Sequence, residues 1–192
     1  ALVERREMGW RSYTTDECIA AVNRVSAGFL KLGLERGDRV ALISDLGSPR
    51  CTFLELGIQQ IGVVVVSIHA AASATELEFI LKETETRYCI AGNRDLYDRV
   101  AGIRTQLLHL KALFSLDDSP GLSGWSALTC EPSEKYLETI QALRAAIHED
   151  DLATVVYAPC GGKAVPQGVM LSHKNIVSNI KAVVALLPIN CG

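Results

Sequence analysis

The residues of this 192-residue chain whose types and spacing could do chemistry lie together, from Tyr157 to His173, in the run YAPCGGKAVPQGVMLSH. Gly161 and Gly162 stand beside Lys163, and Pro166 and Gly168 close the segment. Glycines let successive backbone N–H groups converge on one point, and such a nest attracts anions. Lys163 adds a mobile positive charge. The chemistry on offer is the cradling of a phosphate. The spacing is not that of G-x-x-x-x-G-K-[ST], because Ala164 follows Lys163 and cannot ligate magnesium. The dinucleotide fingerprint G-x-G-x-x-G is absent as well. By spacing alone the run reads first as a Gly-containing hairpin loop and second as a phosphate site. Cys160 lies in the same run, and as a nucleophile it would need a base, for which His173 is the nearest candidate in sequence.

The elements that must position this loop follow from the pattern on either side. Ala153 to Tyr157 is a short apolar run opened by Asp150 and Asp151, and it predicts a buried strand. Gly168 to Leu171 predicts a second short strand, with a helix beginning near Ser172. Ile176, Val177, Ile180, Val183, Val184 and Leu187 form a broad apolar face on that helix, and Pro188 ends it.

Upstream, Thr14 and Glu17 fit a capping box ahead of apolar residues at Ile19, Val22, Val25, Phe29 and Leu32, with Gly33 as the stop. Arg39 to Ser44 reads as a buried strand, Pro49 to Ile61 as a helix, and Val63 to Ile68 as a strand covered on both faces. Ser73 and Glu76 make a second capping box. Tyr88 to Ala91 is a strand, Asn93 to Val100 a helix, and Leu110 to Leu116 a further strand. Asp117 to Gly124 is the clearest loop. Ser133 caps a helix carrying Leu137, Ile140, Leu143 and Ile147. Strands alternating with helices predict an α/β fold: an open, mostly parallel sheet flanked by helices. No domain boundary is visible, so residues 1–192 read as one α/β domain.

Composition excludes several function classes. Hydrophobic residues make up 48% of the chain, enough for a sizeable core, and the formal charge is only −3. No basic stripe calls for nucleic acid, and no apolar run approaches a membrane span. No secretory leader is visible at the first residues. The charged runs Glu4 to Glu7 and Lys82 to Arg87 read as solvated faces. Six cysteines, at positions 18, 51, 89, 130, 160 and 191, show neither C-x-x-C nor zinc spacing. They read as reduced thiols of a cytoplasmic protein. His69, at a strand end, reads as a structural histidine before a ligand-facing one.

The stretch from Asp150 to Asn175 resembles the signature of the AMP-forming adenylate ligases, the superfamily of acyl-CoA synthetases and luciferases. Their loop usually reads Y-T-S-G-T-T-G-x-P-K-G-V, often preceded by D-D-L-A-T and followed by M-L-S-H-x-N. Asp150 to Tyr157, Pro166, Gly168 to His173 and Asn175 match it. The loop centre departs from it. Ala158, Pro159 and Cys160 stand for Thr, Ser and Gly; Gly161, Gly162 and Lys163 stand for Thr, Thr and Gly; Gln167 stands for Lys; and the loop is one residue longer. Gly33 to Val40 and Gln60 to Ile68 resemble corresponding parts of long-chain fatty acyl-CoA synthetases, and the likeness runs from about Trp10 to the C-terminus.

The resemblance implies a fragment of an ATP-dependent ligase that converts a long-chain fatty acid to acyl-adenylate and then to acyl-CoA. ATP, Mg²⁺ and coenzyme A are implied by the family. The implied phosphate-binding residues are Cys160, Gly161, Gly162, Lys163, Gln167 and Gly168. No catalytic residue and no metal ligand is assigned. The chain corresponds to the first part of the family's N-terminal domain, without the C-terminal domain, and is expected not to complete the reaction alone. In full-length form the expected partners are nucleotide and fatty acid. The expected location is cytoplasmic, with peripheral membrane association. An uncovered sheet edge or face predicts a homo-oligomer. The altered loop also supports an alternative: a non-catalytic binding or interaction module of the same fold. A third reading is an unrelated doubly wound domain that binds a phosphorylated ligand or acts through Cys160.

Overall fold

A computed structural model of the protein describes residues 2–6, 9–45, 47–117, 120–158 and 165–187. The chain opens with a hairpin, β1 (Leu2–Arg6) and β2 (Gly9–Tyr13), paired antiparallel with Glu4 opposite Arg11. The charged run Glu4 to Glu7, expected as a solvated face, begins on β1, with Glu4 half-buried and Arg5 exposed. The Tyr13 hydroxyl donates to Glu4 Oε2 at 3.0 Å.

Helix α1 (Thr15–Lys31) starts where the capping box requires. Thr14 Oγ1 accepts from the Glu17 N–H, and the Glu17 carboxylate accepts from the Thr14 N–H. The remaining elements are β3 (Arg39–Ser44), α2 (Pro49–Gln59), β4 (Val64–His69), α3 (Ala74–Glu83), β5 (Tyr88–Ala91), α4 (Arg94–Gly102), β6 (Ala112–Ser115), α5 (Trp125–Leu128), α6 (Glu134–Ala145), β7 (Leu152–Tyr157), β8 (Gly168–Ser172) and α7 (His173–Leu186). Ser48 caps α2 ahead of Pro49, which has no N–H to leave unpaired in the first turn. Ser73 with Glu76 caps α3, Asn93 caps α4, and Ser133 caps α6.

The main sheet has the order β6-β5-β3-β4-β7-β8. All neighbours are parallel except β7 and β8, which pair antiparallel with Tyr157 opposite Gly168. The mostly parallel α/β architecture expected from the alternation is present. Period-two alternation divides the side chains of β3 between two cores. Val40 and Leu42 pack with Phe29, Leu54, Ile58 and Leu128 on the face covered by α1, α2, α5 and α6. Ala41 and Ile43 pack with Leu77, Ile80, Leu96 and Val100 on the face covered by α3 and α4. Each large aliphatic side chain buried this completely contributes about 1.5–3 kcal/mol.

The segment Lys82 to Arg87 is only partly a solvated face. Lys82, Glu83 and Glu85 face water, while Thr84 and Thr86 are buried and share a hydroxyl hydrogen bond of 2.7 Å. Arg87 forms an ion pair with Asp38 in the turn before β3. The segment turns inward because it must deliver the chain into β5, beside the start of β3.

Candidate functional site

Tyr157 and Gly168 mark the ends of the Gly-rich segment, at the carboxyl edge of β7, where open α/β sheets place ligands. Of the six phosphate-loop residues expected from sequence, Cys160, Gly161, Gly162 and Lys163 lie outside the described residues. Gln167 and Gly168 are described, and both are exposed at the start of β8. A methyl group added at Gly168 would lie 2.7 Å from Tyr157 Cζ, 2.8 Å from Val155 Cγ1 and 2.9 Å from Tyr157 Oη. A glycine is thus required there by packing, whatever the loop binds.

The Tyr157 ring is held in place. It is 5% exposed, and its hydroxyl donates to Glu83 Oε2 at 2.5 Å. Burial, and then the Glu83 carboxylate, push the phenol above its ordinary range, while Arg39 opposes the shift. Tyr157 therefore stays protonated and donating. These two residues are 74 positions apart, and no local signal in the sequence links them.

His69 sits at the end of β4, beside this edge. With Tyr157, Ala158 and Pro166 it lines a space of only about 10 Å³, room for no more than one water. Its Nδ1 accepts from the Ala71 N–H at 3.0 Å, so this nitrogen serves the turn that follows β4. That is the structural role expected for it.

His173 is at the other end of the hairpin. Ser172 pairs with Leu152, five residues before Tyr157 on β7, and His173 follows Ser172 as the first residue of α7. At about 3.3 Å per residue that is roughly 16 Å from the loop end of the ladder. His173 instead lines a recess with His148, Glu149 and Arg144, and burial lowers its pKa against the opposing pull of Asp151. Cys160, for which His173 is the nearest candidate base in sequence, lies outside the described residues.

A cleft of about 870 Å³ lies elsewhere on the same edge. It opens between the carboxyl ends of β3 and β5, where α2 leaves on one face of the sheet and α4 on the other. Ser48 and Asn93, the caps of these two helices, sit in its wall. Glu4, Asp45 and Asp117 oppose Arg5 and Arg50 across it, so its field does not select anions. Among the described residues no group of three or more His, Cys, Asp or Glu side chains could hold a metal ion.

An open sheet covered on both faces, with a Gly-rich segment joining two paired strands at its carboxyl edge, is the architecture of an α/β ligand-binding domain. The chain belongs to the AMP-binding enzyme family, whose description matches residues 1–189. A long-chain-fatty-acid–CoA ligase of Drosophila melanogaster, heimdall, is 26% identical over 186 residues, covering 92% of this chain and 27% of that protein. Fatty acyl-CoA synthetase A of Dictyostelium discoideum is 26% identical over 185 residues, with 92% and 27% covered. The chain therefore spans about a quarter of the length of these curated relatives. Among solved structures, Mycobacterium smegmatis MbtA superposes with a TM-score of 0.77 at 17% identity, covering 94% of this chain and 32% of that one. A Mycobacterium tuberculosis fatty acyl CoA synthetase does so with a TM-score of 0.70 at 22% identity, covering 93% and 32%. These likenesses establish the fold.

Proposed function

We propose that residues 1–192 form the opening part of the nucleotide-binding domain of an AMP-forming ligase that activates a long-chain fatty acid. The observation that supports this reading is the family match over residues 1–189 together with the β7–β8 hairpin, whose paired residues Tyr157 and Gly168 lie at the carboxyl end of β7. In the first step a carboxylate oxygen attacks the α-phosphorus of ATP and pyrophosphate leaves, giving the acyl-adenylate. In the second the thiolate of coenzyme A attacks the acyl carbon and AMP leaves. The segment carrying Cys160, Gly161, Gly162, Lys163, Gln167 and Gly168 would hold the departing phosphates, a task of positioning and charge stabilisation. Mg²⁺, which the family implies, belongs to the same proposal. Location in the cytoplasm, with peripheral membrane association of the longer protein, belongs to the same proposal. No helix among the described residues is long and apolar enough to cross a membrane.

The test is ATP–pyrophosphate exchange by this chain extended with its downstream sequence. Exchange dependent on a long-chain fatty acid is expected, and no exchange with any fatty acid would leave only the fold. The composition of the loop favours a second reading, a non-catalytic module of the same fold. Ala158, Gly161 and Gly162 stand where the family carries hydroxyls, which removes donors to phosphate oxygens. Titration of the chain with ATP–Mg²⁺ separates the two, since the module reading expects no saturable binding.

The chain on its own is also expected to self-associate. Val177, Ile180, Val183 and Val184 on α7 are all more than two-fifths exposed, and they continue the exposed Val169 and Met170 of the edge strand β8. A single monomeric species in light scattering across a wide concentration range would refute this.

A further inference from the structure

On the face of the sheet away from α3 and α4, the hairpin strand β2, α1, α2 and α5 enclose a recess of about 230 Å³. Three guanidinium groups line it, those of Arg11, Arg24 and Arg50, with the rings of Tyr13, Phe53 and Trp125, and no carboxylate among its lining residues. We propose that this recess is an anion-binding site for a phosphate group, separate from the Gly-rich segment.

The rings hold the cations in place. Arg11 Cζ lies 4.5 Å from the centroid of Tyr13, which packs edge-on against Phe53 at 5.4 Å. Arg50 Cζ lies 5.3 Å from the centroid of Trp125, and its Nη1 donates to the Leu116 carbonyl at 2.9 Å. A guanidinium stacked on a ring presents its face to the ring and keeps its N–H groups in the plane, where they can fork onto an oxyanion. No guanidinium N–H of Arg11 is bonded to another described residue. The nearest opposing charges are engaged or peripheral. Glu4, across the hairpin from Arg11, accepts from the Tyr13 hydroxyl. Glu131 meets Arg24 only at 3.5 Å and is 81% exposed. The lining itself carries three guanidinium groups and no carboxylate, in a chain whose net charge is −3.

Size decides what enters. The recess is smaller than the usual 300–1,000 Å³ of a site that engulfs a whole organic ligand. It suits a phosphate or pyrophosphate group, free or at the head of a larger molecule whose body stays outside. The mixed-sign cleft between β3 and β5 is larger but lacks this cation excess.

Trp125 makes the site readable. In a Trp10→Phe background it is the sole tryptophan, and its emission reports the recess directly. Inorganic pyrophosphate is expected to change that emission saturably, with sulfate competing. Arg11→Gln and Arg24→Gln are each expected to weaken binding about tenfold, the loss of one charge-assisted contact. Arg11→Lys should recover only part of it. Sedimentation with phosphatidylcholine vesicles, with and without phosphatidylglycerol, distinguishes the source of the phosphate. If free pyrophosphate binds, the ligand is a soluble anion; if only phosphatidylglycerol vesicles bind, and Arg11→Gln abolishes it, the group is a lipid head. The absence of both, or binding unchanged in folded Arg11→Gln and Arg24→Gln proteins, overturns the site.

Discussion

Gly168→Ala puts a methyl group where three atoms already stand within 3.0 Å: Tyr157 Cζ, Val155 Cγ1 and Tyr157 Oη. None of them can swing away at little cost. Tyr157 is buried and tied to Glu83, and Val155 is a buried strand residue facing the α3 and α4 side of the sheet. Overpacking of this kind costs about 1–3 kcal/mol. Displacing the ring would in addition break a hydrogen bond to a carboxylate, about 1 kcal/mol net where that carboxylate can turn to water. The lower backbone entropy of unfolded Ala offsets about 0.4–1 kcal/mol. The net expectation is a loss of about 2 kcal/mol, or roughly 4–8 °C in Tm for a chain of this size. Urea unfolding followed by circular dichroism measures it. A double-mutant cycle with Tyr157→Leu should show a coupling of about 1 kcal/mol, because the ring supplies two of the three contacts. If Gly168→Ala unfolds within about 0.5 kcal/mol of the parent, inside the usual range of a surface change, the hairpin is not closed by this contact and Gly168 must be explained by the loop instead.

Other perturbations follow from the same packing. Gly28→Ala would drive Cβ into the Leu128 carbonyl oxygen, a backbone atom, so α1 must lift off α5; a loss of about 3 kcal/mol is expected in chemical denaturation. Tyr157→Phe removes the bond to exposed Glu83 and leaves no buried group unpaired, so about 1 kcal/mol should be lost by the same assay. Cys89 is wholly buried, and burial pushes its thiol from 9.0 up to about 12. Above pH 9 the unfolded thiol loses its proton while the folded one keeps it, so stability falls as pH rises from about 9 to 12; Cys89→Ala should flatten the stability–pH curve in that window, and an unchanged slope would sink the argument.

Much of the framework is legible in the sequence because it is written in local chemistry. Thr14 with Glu17 and Ser73 with Glu76 announce their helices, and the unbroken apolar runs at Arg39 to Ser44 and Val63 to Ile68 announce central strands. The strand expected over Leu110 to Leu116 shrinks to Ala112–Ser115, the residues in register with Tyr88 to Ala91 of β5. The opening hairpin is not legible, because its strands are short and charged. The site is harder to read, because its contacts are distant in sequence. Proximity along the chain suggests His173 as a partner for the loop, yet an antiparallel strand carries it to the opposite end of the ladder. Arg11, Arg24 and Arg50 come from three elements whose periodicity reports burial and says nothing about convergence.

Because β8 runs back against β7, the segment between Tyr157 and Gly168 leaves and returns through adjacent ladder positions. Its two anchors are one inter-strand spacing apart, about 4.8 Å, and cannot spread without unzipping the edge. For a tether of this kind the entropy of closure grows only as the logarithm of its length, so the one extra residue relative to the family pattern costs about 0.1 kcal/mol. Length is therefore a weak lever on whether a nucleotide is gripped here. The identity of the groups strung between the anchors is the strong one, and restoring threonines at positions 161 and 162 should change affinity far more than deleting a residue.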